Sequence, residues 1–451
     1  MSAIWLKYLP AFLRKRLAHR QVLQAVVGNT GWLFLERALR MVVGVAIGVW
    51  VARHLGPDQF GLLSYAAALT VLFSPLASVG VDRVLLRDLV QNRNGRYESL
   101  GTAFFLKLIA SAVACGLAGL TATILRPSSD VVPAMTVIIS LALVFQSFDA
   151  IKVWFESLVR SKYVAIGQCV AVAVSALVKV LLIIYDASLV AFAWAILLES
   201  AIGALGLLLT YRRTGEVLQK WRLTRTRTRR LLGDSWPFLV AALATGGIQM
   251  KVGQLMIGHM LDDKALGIYV AATRLSETWF FLPAIVASSV TAVITRAKME
   301  DEKLYYRWIE SSLRALALSA IGIATLTSLT APFLIDLLFG PDYADAAPVL
   351  RVHIWTTVFA FLGIGVTPWI LNEGCMRLAM WRSITAMVTD VTLNLILIPK
   401  WGVVGAAVSA LAGWGVGFFL LNLVLPGTRR IFWIQLRACL PLFRDPGSGR
   451  A

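Results

Sequence analysis

The chain has 451 residues, of which 58% are hydrophobic and 15% charged, and its formal net charge is +18. With a mean hydropathy of +0.74, this composition excludes a large soluble domain and indicates a membrane protein. The positive charge would suggest nucleic-acid binding in a soluble protein, but here it follows the pattern expected of membrane topology, so no nucleic-acid partner is predicted.

The chain begins with a basic amphipathic segment, residues 1–28, which is predicted to lie on the cytoplasmic membrane surface. Twelve apolar stretches follow, each near the roughly 20 residues that a helix needs to cross a bilayer. Because unpaired backbone groups cannot face lipid, each stretch is predicted to be a helix. The predicted spans are residues 29–52, 61–81, 100–124, 132–154, 163–185, 189–211, 236–259, 266–291, 314–339, 347–371, 382–398 and 403–425.

The basic residues are distributed unevenly between the two sides of the membrane. Most Lys and Arg residues lie in the N-terminal segment, the C-terminal tail and the loops after even-numbered spans. The loops after odd-numbered spans contain only Arg53, Arg126, Lys264 and Lys400. By the positive-inside rule, both termini are predicted to be cytoplasmic.

The longest predicted inner loop is a basic linker, residues 212–235, which divides the spans into two sets of six. The predicted N-lobe covers residues 29–211 and the predicted C-lobe residues 236–425, followed by a cytoplasmic tail, residues 426–451. Six is an even number, so both lobes begin in the same orientation, as in transporters built from parallel repeats.

A weak similarity between the two halves of the sequence supports the repeat. Predicted span one leaves the membrane through Leu55–Gly61, and predicted span seven leaves it through Leu261–Gly267. Both connections are short, acidic and end in glycine.

The four cysteines and four histidines are scattered along the sequence. Their spacing indicates neither a disulfide framework nor a zinc site. The sequence also has no recognisable nucleophile and base arrangement, phosphate loop or nucleotide fingerprint. It therefore predicts no catalytic residue, no metal ligand and no cofactor, and a transporter rather than an enzyme.

Ionisable residues inside the predicted spans are the candidates for function. A charge at the bilayer centre costs about 2.5–3.5 kcal/mol, so it usually faces a cavity or a partner. The cations are Arg37, Arg40, Lys107, Lys179, Lys251, Arg274 and Arg351, and the acids are Glu36, Asp149, Glu199, Glu277 and Asp390. This surplus of cations predicts an anionic ligand, and a diphosphate is a natural candidate because it is multiply charged and rich in acceptors.

Several of these charges have other interpretations. Glu36 and Arg40 are spaced i,i+4, and Arg274 and Glu277 i,i+3, so each pair can form an intrahelical ion pair with a structural role. The acids Asp149, Glu199 and Asp390 are predicted to have no basic neighbour at helical spacing. They are candidates for a proton or sodium site, and equally for pairing with a cation on another helix.

The order and spacing of several motifs resemble a known family. Val51–Tyr65, with Leu-Gly-Pro-Asp-Gln-Phe-Gly inside it, and Val79–Asp88 look like the opening of bacterial polysaccharide-export flippases of the O-antigen type. Leu266–Glu277 and Gly402–Ala407 resemble later parts of that family. The resemblance covers about residues 25–425.

This resemblance implies an all-α membrane fold of two six-helix lobes around a central cavity, in the superfamily that includes multidrug exporters and lipid II flippases. It implies a substrate of undecaprenyl-diphosphate-linked oligosaccharide, turned from the cytoplasmic to the periplasmic leaflet of the bacterial inner membrane by alternating access and driven by H+ or Na+. Membrane lipids, and a polymerase and chain-length regulator of the same pathway, are the implied partners. The candidate substrate-binding residues are Arg37, Lys251, Arg274, Arg40, Lys107 and Lys179, and the candidate coupling acids are Asp149, Glu199 and Asp390.

Three alternatives stay open. A multidrug exporter of the same superfamily would share the fold, although cationic drugs favour surplus acids over surplus bases. A membrane polysaccharide polymerase or ligase would need catalytic residues on a sizeable outer loop, and every predicted outer loop is short. A non-transporting scaffold would leave the membrane-embedded cations unexplained. The class of polymer (O-antigen, capsule or exopolysaccharide) is not encoded in these patterns.

Overall fold

A computed structural model describes residues 21–92, 95–243 and 249–439. Every regular element in these ranges is helical, as expected of a chain that has to satisfy its own backbone hydrogen bonds in lipid. Residues 1–20 of the predicted surface segment and residues 440–451 of the predicted tail lie outside the described part.

Nine helical segments of the described chain are long and apolar enough to cross a membrane. Two of them each contain two predicted spans that are joined at a kink. The kinks lie at Gly56 and Gly402, which adopt positive φ angles of 69° and 57°. Predicted span seven is divided by residues 244–248, which lie outside the described part. These joints and this division account for the difference between nine segments and twelve predicted spans.

The chain divides into two compact units. Unit 1 contains the chain up to Val51 together with Leu69–Leu243, and unit 2 contains Ala52–Ala68 together with the chain from Ala244. The first helix, α1 (Gln21–Ser78), therefore belongs to unit 1 at its ends and to unit 2 in its middle.

The rest of unit 1 is a bundle of seven helices. They are α2 (Val81–Gln91), α3 (Arg96–Leu125), α4 (Val131–Phe145), α5 (Asp149–Ser157), α6 (Ser161–Ile184), α7 (Leu189–Arg213) and α8 (Arg225–Ala242). In this bundle α3 packs along α4, α6 packs along α7, and α4 also contacts α7. A short turn, Gln146–Phe148, joins α4 to α5. The core contains Leu85, Leu100, Phe155 and Tyr211.

The second half of the predicted basic linker is helical and is anchored to unit 1. Arg227 on α8 lies 3.4 Å from the carboxylate of the buried Asp88 on α2, and 3.9 Å from that of Glu98 on α3. Leu231, one turn further on, is fully buried in the core of unit 1. Part of the basic run therefore serves packing.

The helices of unit 2 after α1 are α9 (Gln249–Met260), α10 (Asp263–Glu277), α11 (Phe281–Glu300), α12 (Glu302–Phe339), α13 (Ala346–His353), α14 (Thr356–Gly365), α15 (Thr367–Asn372), α16 (Met376–Gly415), α17 (Leu421–Val424) and α18 (Arg429–Cys439). They surround an interior segment, Ala346–Asn372, in whose apolar stretch 72% of the residues are buried. The long helices α12 and α16 pack against this segment.

The two glycines that end the matched connections lie at close backbone contacts in unit 2. A Cβ atom on Gly267 would be 2.0 Å from the carbonyl oxygen of Pro57, and one on Gly61 would be 1.8 Å from that of Asp263. No side chain fits at such distances, so each glycine is required where the other connection approaches it.

A buried polar network joins α16, α17 and α18. The Nε and Nη2 atoms of Arg382 donate to Oδ1 of Asn422 at 3.2 and 2.6 Å. Asn422 in turn donates to Oε1 of Gln435 at 2.8 Å. Arg382 is only 1% exposed, and its partner in this network is a neutral amide.

Candidate functional site

Unit 1 encloses a cavity of about 410 Å³ between α1, α4, α5, α6 and α7. This volume lies within the range of roughly 300–1,000 Å³ that is typical of small-molecule sites. The ionisable residues that line it are Glu36, Arg37, Arg40, Asp149, Lys152, Glu156 and Glu199.

One side of the cavity is formed by residues bonded to Arg40. Arg40 lies one turn after Glu36 on α1, and its Nε atom donates to Oε1 of that residue at 2.8 Å. Its Nη1 atom donates to Oε1 of Glu199 on α7 at 3.2 Å, and its Nη2 atom to Oε1 of Gln168 on α6 at 2.8 Å. Lys179 on α6 approaches Oε2 of Glu199 at 3.2 Å. We call these five residues the paired cluster.

The other charged side of the cavity comes from α5. Asp149, Lys152 and Glu156 are spaced i, i+3 and i+7, which places them on one face of the helix, and all three line the cavity. We call them the α5 row. Neither they nor Arg37 make an ion pair or a side-chain hydrogen bond with another residue of the described chain. Arg37 is exposed, and the three side chains of the row are half-buried.

A further ion pair of unit 1 joins α2 and α3. Nζ of Lys107 on α3 donates to a carboxylate oxygen of Asp82 on α2 at 2.8 Å. Lys107 is 1% exposed, so the pairing compensates a cation that is otherwise buried among apolar helices.

Unit 2 contains the remaining predicted cations. Lys251 on α9 donates to the side-chain carbonyl of Gln254 at 3.3 Å and makes no ion pair within the described residues. The charges of both Lys251 and Arg274 act on the carboxylate of Glu277.

Three polar groups of unit 2 converge over Gly253 on α9. A methyl group at Gly253 would lie 3.4 Å from Nδ2 of Asn394, 3.8 Å from Oδ2 of Asp390 and 4.0 Å from the hydroxyl of Tyr269. Asn394 donates to Oδ1 of Asp390 at 3.2 Å, while its own Oδ1 atom is buried without a partner in the described structure. A carboxylate, a hydroxyl and an unpartnered amide oxygen are oxygen ligands suited to a small cation or a proton.

Comparison with protein families gives a match over most of the chain. Residues 50–348 match the family described as "Polysaccharide biosynthesis protein". The chain belongs to this family. The resemblance predicted from the motifs is confirmed.

Two curated relatives of this family member are named for transport. A "Putative O-antigen transporter" of Shigella flexneri is 20% identical over 435 residues, which cover 92% of this chain and 99% of that protein. A "Probable flippase AglR" of Haloferax volcanii is 25% identical over 179 residues, which cover 38% of this chain and 37% of that protein.

Solved structures confirm the predicted fold class, an all-helical polytopic membrane protein. The lipid II flippase MurJ, in an inward closed conformation, matches with a TM-score of 0.71 at 13% identity, over 93% of this chain and 94% of that chain. A multidrug resistance MATE family transporter of the MOP superfamily, in an inward-facing conformation, matches with a TM-score of 0.65 at 16% identity, over 88% and 94%. At these identities, the likeness concerns the fold.

The structure brings only some of the predicted site residues together. The cavity of unit 1 collects Arg37, Arg40, Asp149 and Glu199, and Lys179 joins them through Glu199. Lys107 is held instead by Asp82. Lys251, Arg274 and Asp390 belong to unit 2.

Two expectations about charge need correction. Asp149 does have a basic neighbour at helical spacing, because Lys152 lies three residues later on α5. The predicted surplus of cations is also absent from the cavity of unit 1, where the lining contains four carboxylates and three cationic side chains.

Sequence reasoning missed Lys152, Glu156 and Gln168. Lys152 lies inside predicted span four and Glu156 lies two residues after its end, and the list of ionisable residues inside the spans contains neither. Their i, i+3, i+7 spacing with Asp149 was the signal that marks a shared face. Gln168 is uncharged and carried no comparable signal.

Proposed function

We propose that this chain is a flippase that moves an undecaprenyl-diphosphate-linked oligosaccharide from the cytoplasmic to the periplasmic leaflet of a bacterial inner membrane. The observation that carries the proposal is the cavity of about 410 Å³, lined by charged residues of predicted spans one, four and six, in a member of the polysaccharide biosynthesis family. Charges at membrane depth require a polar partner, water or a ligand to offset their cost. A sugar headgroup supplies such a partner as it crosses.

The family match favours this substrate over a drug. A multidrug exporter shares the fold, and the four carboxylates and three cations that line the cavity of unit 1 do not by themselves favour an anionic ligand. The Shigella flexneri relative is named "Putative O-antigen transporter", and the alignment covers 99% of that protein. We therefore propose lipid-linked sugar as the substrate and alternating access as the means of transport.

We assign contacts with the diphosphate to Arg37 in unit 1 and, separately, to Lys251 and Arg274 in unit 2. Arg37 and Lys251 make no ion pair within the described residues, so each has charge available for a ligand. By contrast, Arg40, Lys107 and Lys179 are already paired with carboxylates, and we assign them to positioning the helices of unit 1.

A deletion strain tests the proposal. Loss of the gene should make the lipid-linked repeat unit accumulate on the cytoplasmic leaflet, and the wild-type gene should restore export. Arg37→Ala and Lys251→Ala should fail to restore it at normal protein level. Lys264→Ala removes an exposed cation from a predicted outer loop and should restore export fully.

Two outcomes would contradict these assignments. Wild-type export by both Arg37→Ala and Lys251→Ala would remove the diphosphate site. Accumulation of single repeat units on the periplasmic leaflet would mean that translocation is intact, and the function would move to a later enzymatic step such as polymerisation.

We propose further that a proton or sodium ion drives transport through Asp390. Of the three candidate acids, Glu199 is held by Arg40 and Lys179, and Asp149 shares its helix face with Lys152. Asp390 has a neutral partner, Asn394, and lies next to an open position over Gly253. This arrangement leaves the Asp390 carboxylate available to bind and release a cation.

Reconstituted vesicles with an imposed ion gradient test the coupling. Asp390→Asn should abolish gradient-driven flipping. Gly253→Ala should do the same while keeping the acid, because its methyl group occupies the space between the three polar groups at ordinary contact distances. Wild-type flipping that continues after both the gradients and the membrane potential are collapsed would rule out ion coupling.

The cellular setting completes the proposal. We propose that both termini are cytoplasmic, according to the distribution of basic residues. Membrane lipids would surround the chain, and a polymerase and a chain-length regulator would act on the exported units, which serve O-antigen, capsule or exopolysaccharide assembly.

A further inference from the structure

The α5 row of unit 1 is an unused polar surface. Asp149, Lys152 and Glu156 line the cavity together, and each lacks an ion pair or a side-chain hydrogen bond within the described residues. The paired cluster on α1, α6 and α7 has its charges satisfied by internal contacts. Together with Arg37, the row therefore has hydrogen-bonding capacity to offer a ligand.

We infer that the α5 row binds the sugar part of the substrate and not its diphosphate. This inference rests on the proposed function and divides the substrate between two kinds of site. Arg37, which lines the same cavity, takes the phosphates, and the row takes the first sugars next to it.

The chemistry of the row matches a polyol. An ionised carboxylate accepts hydrogen bonds and cannot donate them, whereas a lysine ammonium donates and cannot accept. The row alternates acceptor, donor and acceptor over seven residues, which is roughly 10 Å of helix. A sugar hydroxyl both donates and accepts, so neighbouring hydroxyls can satisfy all three side chains.

A diphosphate does not match the row. Its oxygens are acceptors with negative charge, and they would meet two carboxylates for one ammonium, with like-charge repulsion and no hydrogen bond to either acid. In the rest of the cavity, Arg40 is already engaged by Glu36 and Glu199. Arg37, assigned above to the diphosphate, is the lining cation that remains beside the row.

The same balance predicts a preference among sugars. A neutral sugar or an amino sugar can donate to Asp149 and Glu156. A uronic acid adds a third carboxylate to a surface that already has two, and it would be disfavoured. The row thus favours substrates whose lipid-proximal sugars carry no acid.

Binding measurements on purified full-length protein in nanodiscs can separate the two parts of the substrate. The probes are undecaprenyl diphosphate alone and the lipid-linked oligosaccharide pool extracted from the native cells. The wild type should bind the sugar-bearing lipid more tightly than the bare diphosphate. Asp149→Ala/Glu156→Ala should lose about tenfold or more of affinity for the sugar-bearing lipid, the loss expected for one charge-assisted hydrogen bond, and keep its affinity for the bare diphosphate.

Two further variants keep the test decisive. Asp130→Ala/Glu300→Ala removes two exposed acids away from the cavity and should bind both probes as the wild type does. Asp149→Asn/Glu156→Gln keeps the shape and hydrogen-bonding capacity of the row without its charge, and should weaken the discrimination between undecaprenyl-diphosphate-linked glucuronic acid and N-acetylglucosamine.

The remaining outcomes are distinguishable. An equal loss of affinity for both probes in the alanine variant would overturn the inference. The row would then contact the diphosphate or stabilise the fold. An unchanged preference for the sugar-bearing lipid would overturn it as well. If the wild type binds neither probe above a neutral phospholipid, the proposed function itself fails.

Discussion

The two units hold their membrane-embedded charges in different ways. In unit 1, Arg40 is neutralised by Glu36 and Glu199 at the edge of a polar cavity. In unit 2, Arg382 and Asp390 are buried in the packed interior, and the side-chain partner of each is an asparagine. At these sites, charge is compensated by charge in unit 1 and by a neutral amide in unit 2.

This difference determines what each unit can do. A residue paired with an opposite charge is fixed, since its removal leaves the partner uncompensated. A residue with a neutral partner can change its charge without leaving an opposite charge behind. Unit 1 is therefore suited to a constant polar surface for a ligand, and unit 2 to the binding and release of a single ion.

The largest expected effect is that of Arg382→Ala in unit 2. The substitution opens a cavity in the interior and leaves the Oδ1 atom of Asn422 without a donor, at a cost of about 3–5 kcal/mol in the free energy of unfolding. Denaturation in detergent micelles measures it. Arg382→Gln keeps a donor near Asn422 and should cost clearly less. Equal losses in the two variants would show that the positive charge itself is required.

Arg40→Gln in unit 1 should have the next largest effect. It leaves Glu36 and Glu199 without their shared cation. Because the side chain of Arg40 is 42% exposed, the cost should be about 1–2 kcal/mol, below that of a fully buried pair. Arg37→Gln removes the neighbouring cation, which has no ion pair, and should change stability by less than about 0.5 kcal/mol. Similar losses in the two variants would contradict the pairing.

Tyr343 lies between α12 and α13 in unit 2, and its hydrogen-bond partner is also a neutral group. Its hydroxyl donates to the carbonyl oxygen of Ala52 at 2.7 Å, so Tyr343→Phe should cost about 1 kcal/mol. Burial, and secondarily the carboxylate of Asp342, raises the pKa of Tyr343 above its ordinary value of 10.0.

The pH dependence follows from the direction of that shift. The raised pKa in the folded state contributes stability below about pH 10, and this contribution is lost as the pH rises through the folded pKa. Unfolding curves of the wild type and Tyr343→Phe should therefore converge above about pH 10. A constant difference in the free energy of unfolding at all pH values would mean that burial does not raise the pKa of Tyr343.

The smallest expected effect on stability is that of Asp390→Asn. The asparagine can still accept from Asn394, and neutralisation removes the cost of a buried charge, so the free energy of unfolding should stay within about 0.5 kcal/mol of the wild type or increase. Glu199→Gln is the matched variant in unit 1 and should destabilise, since Arg40 and Lys179 both lose charge compensation. A clear loss with Asp390→Asn would reveal a cationic partner.

Local sequence spacing predicted some of these contacts. The ion pair of Glu36 and Arg40 follows from one helical turn of separation. For Glu199, pairing with a cation on another helix was one of two open alternatives, and the structure confirms it. The sequence does not identify the partners, which are Arg40, 159 positions away, and Lys179, 20 positions away. Helical periodicity defines the face of a residue and not which other helix that face contacts.

The sequence by itself determined that the chain crosses the membrane repeatedly as helices, because apolar stretches of this length leave no other structure in which the backbone is satisfied. Its motifs also determined the family. Only the tertiary structure decided which charges are paired and which face a cavity. Lys107 and Arg37 both lack an obvious partner on their own helix in the sequence, yet one is bonded to Asp82 and the other lines a cavity. That distinction depends on packing between helices, which brings together side chains that no local pattern relates.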